Sequence, residues 1–193
     1  MIKTALPRRS GRRRVRTAPV VVMNFGAVAV RDTEAVAQVA AAIVAEHERG
    51  ANVVAVLPPY AGAVAELAEL ASSISPEPQR RELDMLVSSS ASMSGALCAM
   101  AIHRRGCRAV SLEAAQAGIV TDAAHTRATL LEVRSGRITR ELGSHGIVLV
   151  SGVIGVARET NDLTALGPGG PDAVAQKLAS ALHADACLVA EPA

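Results

Sequence analysis

Residues able to do chemistry are sparse in this chain and stand mostly at turns. The segment Asn24-Phe25-Gly26-Ala27-Val28-Ala29-Val30 has one glycine and no charged or hydroxyl side chain before Arg31. A phosphate cradle needs successive backbone N–H groups at close approach and a lysine to meet the charge, so this turn makes a poor one. A second candidate, Leu166-Gly167-Pro168-Gly169-Gly170-Pro171-Asp172, enters a helix and could offer amide donors to an anion. Pro168 and Pro171 each remove a donor, Pro171 suits the first turn of a helix, and Asp172 there is equally explained by the helix dipole. A purely structural turn is the preferred reading.

The other reactive side chains form no recognisable constellation. His47, His103, His125, His145 and His183 include no i, i+4 pair and no carboxylate pattern of a metal motif, so they read as solvated or satisfied histidines. Ser88, Ser89 and Ser90 lack a G-x-S-x-G context. Cys98, Cys107 and Cys187 are odd in number and without a C-x-x-C pair, which implies neither a disulfide framework nor a zinc site and fits a reducing cytoplasm. Cys187 falls in a strand candidate and reads as core. The residues themselves call for no metal and no cofactor.

The elements that must position these residues alternate. Pro19 to Phe25, Val53 to Leu57 and Gly146 to Val150 are short apolar runs of the kind buried in a parallel sheet. Ligands in such sheets bind at the carboxyl ends of strands, here the turns at Gly26, Pro58 and Gly152. A helix capped by Asp32 or Thr33 and stopped by Gly50 follows the first run, and Gly62 to Ser73 returns to an Ala/Leu helical pattern. Ser75 to Arg80 reads as a loop, and Glu82 to Arg104 as one long helix or two joined near Ser88 to Ser90. Ala109 to Leu112, Gly118 to Thr121 and Thr129 to Val133 are strand candidates, and Ser135 to Leu142 a brief helix ending at Gly143. A long connection, Ser151 to Pro171, precedes a helix at Asp172 to Leu182 and a last strand at Ala186 to Ala190. This alternation predicts an α/β protein with a mostly parallel sheet.

Composition agrees with that reading. Half of the 193 residues are apolar, yet Phe25 and Tyr60 are the only aromatics, so the core must be built of Ala, Val, Leu and Ile. No apolar run reads as long enough for a membrane span, and no signal-type segment follows the basic N-terminus; a soluble protein is expected. Residues 1 to 18 hold seven cations and no acid, so against a net charge of +2 for the whole chain the remainder carries −5. Without interleaved aromatics or a matching basic stripe, residues 1 to 18 read as a disordered, solvated tail rather than a nucleic-acid arm.

From Val20 to Cys187 the sequence resembles the N-terminal part of aspartokinases. The framework carries the likeness: Arg81-Glu82-Leu83-Asp84-Met85-Leu86, Ala99-Met100-Ala101-Ile102, Gln116-Ala117-Gly118-Ile119-Val120-Thr121-Asp122 and Thr164-Ala165-Leu166-Gly167 stand in family order and spacing. The resemblance implies an αβα sandwich of the amino-acid-kinase type over 19–193, whose first part binds aspartate and the transferred phosphate. It also implies where the site should be, and there the sequence departs. The family's K-[FY]-G-G opening reads Asn24-Phe25-Gly26-Ala27, so lysine has become Asn24 and the second glycine Ala27. A family serine after the second strand is Pro58. The glutamate of T-x-G-E is Ala91, and the arginine of T-T-L-G-R-G-G-S-D is Pro168, with Asp172 retained. Charge-assisted contacts of this kind are each worth about 1.5–3 kcal/mol.

The expectation is therefore a degenerate, truncated aspartokinase-like protein, catalytically inactive as a single chain, acting with a protein partner or as a homo-oligomer in aspartate-derived amino-acid metabolism. The alternatives are an aspartate kinase of weak or partner-completed activity, which alone would bring in ATP and Mg²⁺, and nucleic-acid binding through the Arg-rich tail.

Overall fold

The computed structural model describes residues 18–190; residues 1–17 of the expected tail and residues 191–193 lie outside it. The chain runs β1 (Val20–Phe25), α1 (Thr33–Glu48), β2 (Asn52–Leu57), α2 (Ala61–Ile74), α3 (Arg80–Arg104), β3 (Val110–Leu112), α4 (Ala114–Ala117), β4 (Ile119–Thr121), β5 (Leu130–Val133), α5 (Gly136–His145), β6 (Ile147–Ser151), β7 (Ile154–Ala157), β8 (Leu163–Ala165), α6 (Gly170–Leu182) and β9 (Ala186–Ala190). A five-stranded sheet has the order β3-β6-β2-β1-β9, all pairs parallel. A second, four-stranded sheet, β5-β4-β7-β8, is mixed.

Alternation along the central strands sorts their side chains to two helical layers. Val21, Met23, Phe25, Val53, Ala55, Leu57, Ile147 and Leu149 pack with Val36, Val39 and Ile43 of α1 and Cys98 and Ile102 of α3. The intervening Val22, Val54, Val56, Val148 and Val150 pack with Ile138 and Leu142 of α5 and Val174 and Leu178 of α6. Strands buried on both faces need near-continuous apolar runs, which is why these segments are rich in valine with Met, Phe, Ala, Leu and Ile between. Each fully buried Val, Leu or Ile side chain contributes about 1.5–3 kcal/mol. The αβα arrangement is thus present, with aliphatic side chains in place of aromatics.

Local signals account for several boundaries. Asp32 is the N-cap of α1 and accepts from the Ala35 N–H at 2.8 Å, while Gly50 follows its end at φ +97°. α3 is one continuous helix beginning at Arg80. The serines expected to weaken it turn their hydroxyls back onto the preceding turn, Ser88 to Met85 O at 2.7 Å and Ser90 to Val87 O at 2.7 Å, and so leave the ladder intact.

Four expectations are corrected. α5 passes through Gly143 and stops at Gly146, whose φ of +77° makes it the real C-cap. The connection from Ser151 to Pro171 holds β7 and β8, strands of four and three residues hidden among its glycines and prolines. The short helix α4 is an addition to the expected elements, and Glu113 and Gln116 start it with a reciprocal capping box. Finally, α3 is long and apolar enough, by length and composition alone, to cross a membrane. Its Cys98, Ala99 and Ile102 pack in the core and its Asp84 is hydrogen-bonded inside the protein.

Candidate functional site

The carboxyl ends of β1, β2 and β6 meet the start of α6 at one end of the five-stranded sheet. The Gly152 N–H donates to Leu57 O at 2.9 Å, tying the exit of β6 to that of β2. Gly152 sits so close to Pro171 and Val56 that a Cβ there would lie 3.1 and 2.8 Å from their side chains. That absence of a side chain lets the first turn of α6 settle on the strand ends. The exit of β2 is held from the other side, because the Tyr60 N–H donates to Ser90 O in the middle of α3 at 3.1 Å. Gly169, at φ +79°, is the N-cap of α6, and Gly170 approaches Leu166 too closely for a Cβ.

Within this frame Asn24 and Asp172 are in direct contact. Asn24 is the last residue but one of β1 and 6% exposed; its Nδ2 donates to Asp172 Oδ1 at 2.7 Å. The carboxylate can only accept, so it fixes the amide orientation and turns Asn24 Oδ1 away, where it is buried with no partner among the described residues. Asp172 lies in the first turn of α6, where the helix dipole favours a negative charge. It makes no ion pair among the described residues. Its charge is felt at Cys187, whose thiol is pushed up by burial and then by the Asp172 carboxylate. Cys187 is in β9 as expected but exposed, not core, because β9 is the sheet's edge strand among the described residues.

The other expected positions are apolar in the structure as well as in sequence. Gly26 and Ala27 are exposed in the turn after β1, and the Ala29 N–H there is spent on Gly26 O at 3.0 Å, so it is not available to an anion. Pro58 is buried at the end of β2. Ala91 is 6% exposed and packs with Ala114 and Ile154, flanked by Val87, Val153 and Leu163. Pro168 is exposed in the turn before α6, beside a cavity of about 310 Å³ that Arg127, Thr129 and Leu130 also line. Of these positions only Asn24 contacts the Asp172 carboxylate, whose negative charge repels rather than cradles a phosphate. Among the described residues no cluster of three or more His, Cys, Asp or Glu could hold a metal ion. The turn therefore does not fit the transferred phosphate of a nucleotide.

One polar cluster lies outside the positions expected from sequence. Asp84 is 1% exposed on α3 and accepts from the Thr126 N–H at 3.0 and 3.1 Å and from His125 Nδ1 at 2.8 Å. Thr126 is held at φ +67°, a conformation costly for a β-branched residue. The cluster clamps the β4–β5 loop, with Arg127 and Thr129, onto α3. An Asp inside an apolar helix segment was the available signal. His47 and His103 bond carbonyl oxygens of Ala51 and Ala109, which satisfies them as expected.

Comparison with known proteins gives this geometry a context. The profile of the amino acid kinase family matches residues 19–191. Aspartokinases from Mycobacterium tuberculosis H37Rv and from Corynebacterium glutamicum are each 40% identical over 168 residues, covering 87% of this chain and 40% of theirs. The chain thus spans about 40% of the length of these curated relatives. The crystal structure of aspartate kinase from Synechocystis superposes with a TM-score of 0.70 at 33% identity, over 87% of this chain and 27% of that one. E. coli aspartokinase III in complex with aspartate and ADP shares the fold, with a TM-score of 0.71 at 21% identity over 88% of this chain and 48% of that one.

Proposed function

The chain belongs to the amino acid kinase family, and on that premise we propose that it is an aspartokinase-like protein without phosphoryl-transfer activity of its own. It acts in the cytoplasm as a binding or assembly partner in aspartate-derived amino-acid metabolism, with a protein partner or a second copy of itself. The observation that carries this reading is the Asn24–Asp172 hydrogen bond. Where the family resemblance calls for a lysine, an amide is locked onto a carboxylate and presents only a buried acceptor. Phosphoryl transfer relies on cations that neutralise charge on the equatorial oxygens, and this position offers the opposite sign. Ala91 supports the same reading, since the place of a substrate-contacting glutamate is filled by apolar packing.

Affinity capture from a lysate of the source organism, read by mass spectrometry, tests the partner half of the proposal. An aspartokinase, or an enzyme acting on an aspartate-derived compound, is expected to be retained reproducibly. A strictly monomeric protein that retains nothing above control would contradict it.

The rival reading is an aspartate kinase of weak or partner-completed activity, using ATP and Mg²⁺. It draws on the 40% identity to aspartokinases and on the retained Asp172 at the start of α6. Turnover that depends on Asn24 or Asp172 would favour it.

A further inference from the structure

A separate concavity lies on the four-stranded sheet and shares no residue with the Asn24–Asp172 contact. β4 runs there between β5 and β7. Two backbone bonds draw the ends of its neighbours onto it: the Arg134 N–H donates to Gly118 O at 2.8 Å and the Arg158 N–H to Thr121 O at 3.0 Å. Gly118, at φ +71°, permits the first approach, since a Cβ there would lie 2.4 Å from Arg134 O. The result is a cavity of about 300 Å³ with Ile119 and Val156 in its wall and Gln116, Arg134, Arg158 and Asn161 as its polar lining.

The two arginines and the glutamine bring donors that the protein leaves unused. The Glu132 carboxylate accepts from Nε and Nη2 of Arg134 at 3.2 and 3.4 Å and from Nη2 of Arg158 at 3.0 Å. One carboxylate thus orders two long side chains, and the Nη1 groups of both guanidiniums have no partner among the described residues. Gln116 Oε1 accepts from the Glu113 N–H at 3.0 Å, which orients the amide so that Nε2 remains a donor.

The charge balance selects an anion. Arg134 and Arg158 are the only charged residues in the lining. Glu132 is held below the usual carboxylate range, first by Arg134, so it is ionised at neutral pH. Of the other acids nearby, Asp162 is engaged by Arg81 at 2.9 Å and Glu113 by Ser92 at 2.9 Å, while Glu159, exposed in the β7–β8 turn, is outside the lining. Two guanidiniums sharing one carboxylate leave one positive charge, which suits a monoanion, and guanidinium N–H groups match the paired oxygens of a carboxylate. The wall of Ile119 and Val156 suits a short hydrocarbon body.

We propose that this cavity binds a small aliphatic monocarboxylate, with its carboxylate on Arg134, Arg158 and Gln116 and its hydrocarbon body against Ile119 and Val156. Such binding does not depend on whether the chain has kinase activity.

Titration of the full chain with isovalerate, followed by amide NMR, tests it. Saturable shifts are expected at residues 115–120 and 156–161, with a dissociation constant of about 5 mM or tighter. The neutral isostere isovaleramide should bind at least about tenfold more weakly. Arg134→Gln and Arg158→Gln should each weaken isovalerate at least about fivefold; both side chains are exposed, so the fold is retained, as circular dichroism verifies. Arg140→Gln, at an exposed arginine of α5, should change the affinity less than about twofold. Shifts that do not saturate, equal affinity for isovaleramide, or indifference to both Arg134→Gln and Arg158→Gln would overturn the proposal. Inorganic phosphate binding as tightly as isovalerate would overturn it too, because the apolar wall would then contribute nothing.

Discussion

At position 24 an amide stands where the resemblance calls for an ammonium. Asn24 donates its Nδ2 hydrogen bond to Asp172, while its Oδ1 is left buried without a partner among the described residues. Ala91 extends the point. Because its methyl is packed against Ala114 and Ile154, a glutamate cannot simply be placed there: Ala91→Glu is expected to destabilise the fold by about 2–4 kcal/mol, measured by urea unfolding, through burial of an unpaired carboxylate. Unchanged stability would mean that the cluster has room for a polar side chain. The acids have a separate, testable signature. Asp122 is held below the usual carboxylate range, first by the Thr129 backbone N–H and then by that of Ala124; Asp162 is lowered by Thr160 and Arg81. A folded-state value below the unfolded one stabilises above about pH 4 and loses that contribution as pH falls through the folded value. The Tm of the protein should therefore drop as pH falls below about 4, and less steeply in Asp122→Asn/Asp162→Asn, as followed by circular dichroism.

The elements were legible in proportion to their length and burial. β1, β2, β6 and α1 could be placed because a continuous valine run suits little besides a buried strand, and an aspartate ahead of an apolar 3.6-residue repeat suits little besides a helix start. β7 and β8 could not, although β3, β4 and β5 are as short, because glycines such as Gly155 and the prolines that follow make Ser151 to Pro171 read as one long connection. Gly155 is instead required by packing, since a Cβ there would lie 2.4 Å from Thr121 Cγ2. The turns at the strand ends were likewise legible, but the Asn24–Asp172 contact was not, because it joins residues 148 apart in sequence. Asp84 was hidden for the opposite reason: inside a framework motif it passes for part of the helix. Its role belongs to the elements it joins. Asp84→Ala should cost about 2–4 kcal/mol in thermal or urea unfolding, since it leaves the Thr126 N–H without an acceptor and frees the β4–β5 loop. Faster amide exchange would then be confined at first to residues 122–129. Uniform exchange across the sheet instead would show that Asp84 supports the whole core rather than this loop.

Over the molecule as a whole, the framework is the part that is shown and the loss of chemistry the part that is proposed. The αβα framework of the amino acid kinase family is present, with both helical layers packed on a parallel sheet. On the proposed reading, the charges that phosphoryl transfer would need are missing at Asn24, Pro58, Ala91 and Pro168, the positions to which the resemblance assigns them. The central claim, a kinase framework without kinase chemistry, is tested most directly by a hydroxamate assay for aspartyl phosphate on the purified full chain with aspartate, ATP and Mg²⁺. No product above the protein-free blank is predicted. Sustained turnover that disappears on Asn24→Ala or Asp172→Ala would contradict the account.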